Sequence, residues 1–170
     1  MSTTTYVALM AVIAAIALIA MGLSWRARAR RDTGIEVPAA ALAGERLAHF
    51  PRTSYVSTTP EGAPFDRLSV PGLRFKGYAA VTVLSDGVVI AVTGEDPVRI
   101  TAERLRGSGT ASSRVGKAVE PDGLSLLRWS TGDRVVESSF RFASSAEQVA
   151  FAEAIDRISP TPSTSQEGAK

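Results

Sequence analysis

"RFKGYAAVTVLSDGVVIAVTGEDPVRIT", Arg74 to Thr101, decides the fold class. In an extended chain Phe75, Ala79, Val81 and Val83 fall on one face, and Arg74, Lys76, Tyr78 and Thr82 fall on the other. That period of two is the mark of a half-buried strand. Asp86-Gly87 reads as a hairpin turn, because both residue types tolerate positive φ. Val88, Ile90 and Val92 then resume the alternation, until Gly94 to Pro97 breaks the chain before Val98 and Ile100. The acidic pair Glu95-Asp96 lies inside that break and reads as part of a turn, since adjacent strand residues point to opposite faces.

The same pattern continues toward the C-terminus. "RLRGSGTASSRVGKAV" reads as an irregular or edge strand weakened by Gly107 and Gly109. Pro121-Asp122-Gly123 marks a turn before "LSLLRW", where Trp129 is expected to pack against the core or a closing helix. "TGD", Thr131 to Asp133, leads into "VVESSFRF", with Val136, Phe140 and Phe142 facing in and Glu137 and Arg141 facing out. The period then changes. In "SSAEQVAFAEAIDRIS" Phe151, Ala154, Ile155 and Ile158 share one helical face, opposite Glu153, Asp156 and Arg157. Ser144 with Glu147, or Ser145 with Gln148, supplies a capping box at its start. The fold class is therefore mainly β with a C-terminal α-helix (α+β). Six or seven antiparallel strands form a small barrel or sandwich, capped by one amphipathic helix.

The N-terminal end is of another kind. From Tyr6 to Trp25 run 20 residues without a charge. As a helix they would extend about 30 Å, the thickness of a bilayer's hydrocarbon core. Tyr6 and Trp25 bracket the run, where amphipathic rings favour the interface. "MSTTTY" lacks the positive start of a secretory signal, and bulky Trp25 and Arg26 follow the run where a cleavage site would need small residues. The expectation is one uncleaved transmembrane helix. Arg26, Arg28, Arg30 and Arg31 come directly after it. By the positive-inside rule they hold the rest of the chain on the cytoplasmic side of the plasma membrane, with the N-terminus outside. They are also candidates for contact with anionic lipid of the bilayer.

The organisation expected is thus a short extracytoplasmic N-terminus (1–5), a transmembrane helix (6–25), a basic juxtamembrane segment and linker (26–52), a domain (53–158) and a polar, disordered tail (159–170). A short helical turn is expected within "PAAALAGERLAHF", between Pro38 and Pro51.

Charge and composition exclude several classes. Of 19 basic residues, the four clustered arginines leave 15 against 17 acidic ones, so the rest of the chain is near neutral. A nucleic-acid partner, which calls for a basic face, is not expected. With no cysteine there is no disulfide framework and no zinc–thiolate site. The one histidine, His49, sits in the segment read as linker, and no nucleophile elbow accompanies it. "LRGSGTASS" lacks the Gly-Lys-Ser/Thr of a phosphate loop. No catalytic, cofactor or metal residues are assigned, and an enzyme is not expected.

Taken in order, "YVSTT", "PFDRL", "PGLRFKGYAAVTVLSDGVVIAV", "GEDPVRI", "LRG" and "EPDGLSLLRW" resemble a family of actinobacterial single-pass membrane proteins. In that family an N-terminal anchor and basic linker precede a bacterial pleckstrin-homology-like (PH-like) domain. The resemblance covers most of the chain and implies a PH-like fold without catalytic residues. Some members carry loose export or transporter labels, yet a single helix cannot enclose a pore. Relatives of the fold often bind lipid headgroups through basic residues around the first hairpin, for which Arg67, Arg74 and Lys76 are the nearest candidates here. The function expected is a non-catalytic scaffold module that binds a protein or peptide at the membrane. The alternatives are an anionic-lipid sensor and an accessory subunit of an exporter or cell-envelope complex.

Overall fold

The computed structural model describes residues 3–32, 41–115 and 117–160. The chain divides into two compact units, within 1–34 and 35–170. The first holds helix α1 (Thr3–Asp32), which runs through the apolar stretch and on through the arginine cluster. Its described apolar side chains, from Val7 to Leu23, are all exposed. Counted over the described residues, no helix is long and apolar enough to cross a membrane. The side chains of Tyr6, Trp25, Arg28, Arg30 and Arg31 lie outside the described residues, as do residues 33–40 and the tail from 161 onward.

The second unit is built on a seven-stranded antiparallel sheet. Its strands in chain order are β1 (Arg46–Pro60), β2 (Gly77–Leu84), β3 (Gly87–Val92), β4 (Val98–Thr101), β5 (Leu105–Ala111), β8 (Leu124–Thr131) and β9 (Arg134–Arg141). A separate two-stranded hairpin, β6 (Ser113–Arg114) with β7 (Lys117–Ala118), lies between β5 and β8 in sequence. The order across the sheet is β4-β3-β2-β1-β9-β8-β5. The alternation predicted for β2 and β3 is what registers them: Ala79 pairs with Val92, Val81 with Ile90 and Val83 with Val88, all six buried. A slip of one residue would turn every one of them to the other face. Phe75 does not join them. It precedes β2 and is 70% exposed.

β1 is the strand that bends the sheet. Its first part pairs with β2 and its last part with β9, and Ser54 and Tyr55 pair with both. Register breaks fall between Phe50 and Thr53 against β2, and between Tyr55 and Ser57 against β9. Such bulges kink a strand and increase its twist. β1 begins at Arg46, inside the segment read as linker, and His49 is therefore a strand residue whose Nδ1 lies 2.9 Å from Thr82 Oγ1. No helical turn forms over the described part of "PAAALAGERLAHF".

Asp86 fastens the beginning of this unit. Its Oδ2 accepts from the backbone N–H of Ala43 at 2.8 Å and of Gly44 at 2.9 Å, while Ser85 Oγ accepts from Glu45 N at 3.0 Å. Neither Asp86 nor Gly87 has positive φ. Gly87 is required for another reason: a Cβ there would lie 2.3 Å from the Ile100 carbonyl oxygen. The turns at Asp122 (φ 57°) and Gly132 (φ 58°) do use the left-handed region, as their sequences suggest.

α2 (Ser145–Ile158) closes the core, packing on β5, β1 and β8. Ser144 Oγ accepts from Glu147 N at 3.2 Å, the cap half of the first predicted box, while the returning Glu147 Oε2 accepts from Ala143 N at 3.1 Å, one residue before the N-cap. Phe151, Ala154 and Ile155 are buried. The Phe151 ring meets Phe142 at 5.0 Å, Phe140 at 5.9 Å and Phe50 at 6.0 Å between centroids.

A hydrogen-bonded chain crosses this core. Trp129 Nε1 donates to Ser138 Oγ at 3.0 Å, Ser138 Oγ lies 2.8 Å from Thr58 Oγ1, and Thr58 Oγ1 lies 2.9 Å from the Tyr55 hydroxyl. Tyr55 donates in turn to the Leu73 carbonyl at 2.9 Å. The indole can only donate and the carbonyl can only accept. The three hydroxyls between them are therefore satisfied when each donates onward toward Leu73. The chain ties the β1–β2 connection to the sheet.

Burial pushes the Tyr55 phenol up to about 12, against which the Thr58 hydrogen bond works. An unfolded tyrosine releases its proton near the ordinary value of 10.0, and the folded one holds it for about two units more. This contribution to stability is complete below pH 10 and is lost as pH rises through 12. Tyr55→Phe should cost about 1–3 kcal/mol near neutrality, because it strands Thr58 and the Leu73 carbonyl. It should also flatten the fall in stability above pH 10. Denaturant midpoints of both proteins across the alkaline range check this, and parallel curves would exclude it.

Candidate functional site

Three segments meet around a cavity of about 740 Å³: Ser54 to Val56 of β1, Lys76 with the first two residues of β2, Gly77 and Tyr78, and Lys117 and Ala118 of β7. Its volume lies within the usual range for small-ligand pockets. The corner in β1 forms one wall, with Ser54 paired to Tyr78 across the strands. The β6–β7 hairpin forms another, and its position is set by an ion pair. Arg114 Nη2 lies 2.7 Å from Glu137 Oε2 on β9, with both side chains largely buried. Glu137 thus does not face solvent as its alternation predicts. The hairpin covers that side of the sheet.

The electrostatics of the cavity are one-sided. Lys76 is exposed and Lys117 half-buried, and no acidic residue among the described ones lines the space with them. Neither ammonium takes part in an ion pair among the described residues. Tyr78 is 56% exposed, and the Arg52 guanidinium lies 4.1 Å from its ring centroid, a cation–π contact that holds the ring in place.

The three basic candidates from the sequence are not brought together. Arg67 turns inward and is half-buried, with its guanidinium beside the Tyr55 hydroxyl. Arg74 is exposed outside the cavity lining, and only Lys76 reaches it. Lys117 escapes a reading of the sequence, because the two-residue strand that carries it has no periodicity to read.

A second cleft, about 360 Å³, lies between β5 and the end of α2, with Arg106, Ser108, Arg128 and Asp156 among its walls. Asp156 Oδ1 accepts from Ser108 N at 3.0 Å. This carboxylate occupies an edge donor that an added strand would need. At the opposite edge, a Cβ on Gly72 would lie 2.5 Å from the Asp96 carbonyl oxygen, so the β1–β2 connection crowds the approach to β4. Among the described residues, no three metal-binding side chains gather.

Strand order, corner strand and closing helix agree with the comparison to known families. The model of the bacterial PH domain-like family matches residues 21–156. The chain belongs to that family. No curated protein matches it. PH-like domains are in general non-catalytic binding modules for proteins or lipids, so the family directs attention to surfaces and pockets rather than to reacting groups.

Proposed function

We propose that the chain is a non-catalytic binding module, anchored by residues 6–25 in the plasma membrane with its domain on the cytoplasmic face, that binds a protein or peptide partner. The observation that carries the binding role is the cavity between β1, the start of β2 and the β6–β7 hairpin, in a domain of a kind that in general binds proteins or lipids. The anchor is supported by the uncharged run from Tyr6 to Trp25 and by the exposure of the apolar side chains on α1. Water is a poor environment for such a surface and a bilayer is a good one. Arg26, Arg28, Arg30 and Arg31 support the orientation. Tethering raises the local concentration of the domain near membrane partners without any new contact.

The reading as an anionic-lipid sensor draws on one observation: exposed Arg74 and Lys76 flank Phe75, itself 70% exposed. Two measurements on the full-length protein separate these readings. Protease treatment of intact cells should spare the C-terminal domain, and cleavage there would sink the orientation. Affinity purification in mild detergent should recover a stoichiometric protein. Recovery of one lipid class without a protein would move the function to the sensor.

A further inference from the structure

Resting on the binding-module reading, we propose that the cavity receives an acidic segment of a partner protein. Its carboxylates would meet Lys76 and Lys117, and an apolar side chain would lie on Tyr78. Three features of the cavity select this chemistry. The two lysines come from separate elements, β7 and the residue before β2, and line one space with no neutralising acid among its described walls. The half-exposed Tyr78 ring, fixed by Arg52, supplies apolar area beside them. A space of about 740 Å³ holds several side chains rather than a single anion.

A bilayer suits the same region less well. The β1–β2 connection that carries Arg74, Phe75 and Lys76 also carries exposed Glu61 and Asp66. Its second exposed aromatic, Phe65, is flanked in sequence by Asp66 rather than by a cation. Arg67 is turned toward Tyr55. The connection as a whole is thus close to neutral, and its acids would face an anionic leaflet with like charge. Lys76 and Lys117 share one space with no acid among its described lining, a geometry for carboxylates that accept from both.

The test uses the full-length chain in nanodiscs and a labelled peptide of alternating Glu and Phe, with its Gln/Phe counterpart as control. The Glu/Phe peptide should bind, should bind less well as ionic strength rises, and should protect Lys76 and Lys117 from acylation as read by mass spectrometry. The Gln/Phe peptide should do neither. Reversing both lysines, K76E with K117E, should weaken binding by about a hundredfold or more, since each charge-assisted hydrogen bond removed weakens binding by about tenfold. Lys-to-Arg replacements at both positions should retain binding, and all variants should melt with wild type.

Absence of Glu/Phe binding, equal binding of the Gln/Phe peptide, or protection of the two lysines by anionic nanodiscs alone would each overturn the proposal. The two readings fail separately. A partner recovered in the affinity purification and retained equally by the doubly reversed variant would dismiss this pocket and leave the binding module standing. Recovery of lipid alone would dismiss both.

Discussion

Replacing Phe151 by alanine should lower the stability of the domain by about 3–5 kcal/mol, the usual cost of emptying a large aromatic site in a core. Phe151 is fully buried, and three other phenylalanine rings, from β1, β9 and the segment after β9, lie within 6.0 Å of its centroid. Two of those rings belong to strands, and the third directly follows one, so they cannot close over the vacancy without moving the sheet, and little of the cost is recovered by relaxation. Val149 lies on the same helix, but it is 56% exposed. Val149→Ala should therefore change stability by no more than about 0.5 kcal/mol. Denaturant unfolding followed by tryptophan fluorescence measures both, since Trp129 is fully buried in the same core. Equal effects of the two substitutions would mean that α2 is an appendage rather than the lid of the core.

Phe151 is legible in the sequence because a helical period over one amphipathic face states directly what is buried. The β2–β3 hairpin is legible for the same reason, with a period of two. Elsewhere the sequence is silent for definable causes. Pro51 makes the segment before it look like linker, because proline removes a ladder donor. In the structure it falls between Phe50 and Thr53, where the register of β1 against β2 breaks. A proline is tolerated at such a bulge, and β1 runs through it from Arg46.

Glu137 departs from its pattern by the opposite failure. Alternation gives the face a side chain takes but not what covers that face, and here the cover is a hairpin whose Arg114 lies 23 residues earlier. The turn sequence at Gly87 points to positive φ, whereas a close carbonyl is what excludes a side chain there. The cavity itself is illegible. Of its two lysines, Lys76 stands in a stretch with a readable period of two, and Lys117 lies in a two-residue strand too short to show one.

Removing the Glu137 carboxylate should have the second large effect, because it leaves Arg114 charged and buried without its partner. Arg114 and Glu137 are 9% and 12% exposed, and Arg128, at 3.7 Å and 38% exposed, gives only partial further compensation. Breaking one side of a buried pair costs about 3–5 kcal/mol, and the residual exposure here places Glu137→Ala toward the lower end. Replacing both partners by apolar residues of similar volume, Arg114→Met with Glu137→Leu, should recover most of that loss, since neither charge then has to be desolvated. A double-mutant cycle in denaturant checks this. If the double variant is as unstable as Glu137→Ala, the cost lies in packing and not in the stranded charge.

The same cycle separates stability from function. Arg114 and Lys117 belong to one hairpin, which the buried Arg114–Glu137 pair ties to β9; the more exposed Glu120–Arg141 pair joins the chain just after it to the same strand. In Glu137→Ala the hairpin loses that tie, and Lys117 loses its fixed position over the cavity. Binding of the acidic peptide should then fall even in molecules that remain folded. In the apolar double variant, hydrophobic contact holds the hairpin in place of the ion pair, so stability and peptide binding should return together. Recovery of stability without recovery of binding would show that the cavity depends on the direction the ion pair imposes on the hairpin, not merely on its being held down.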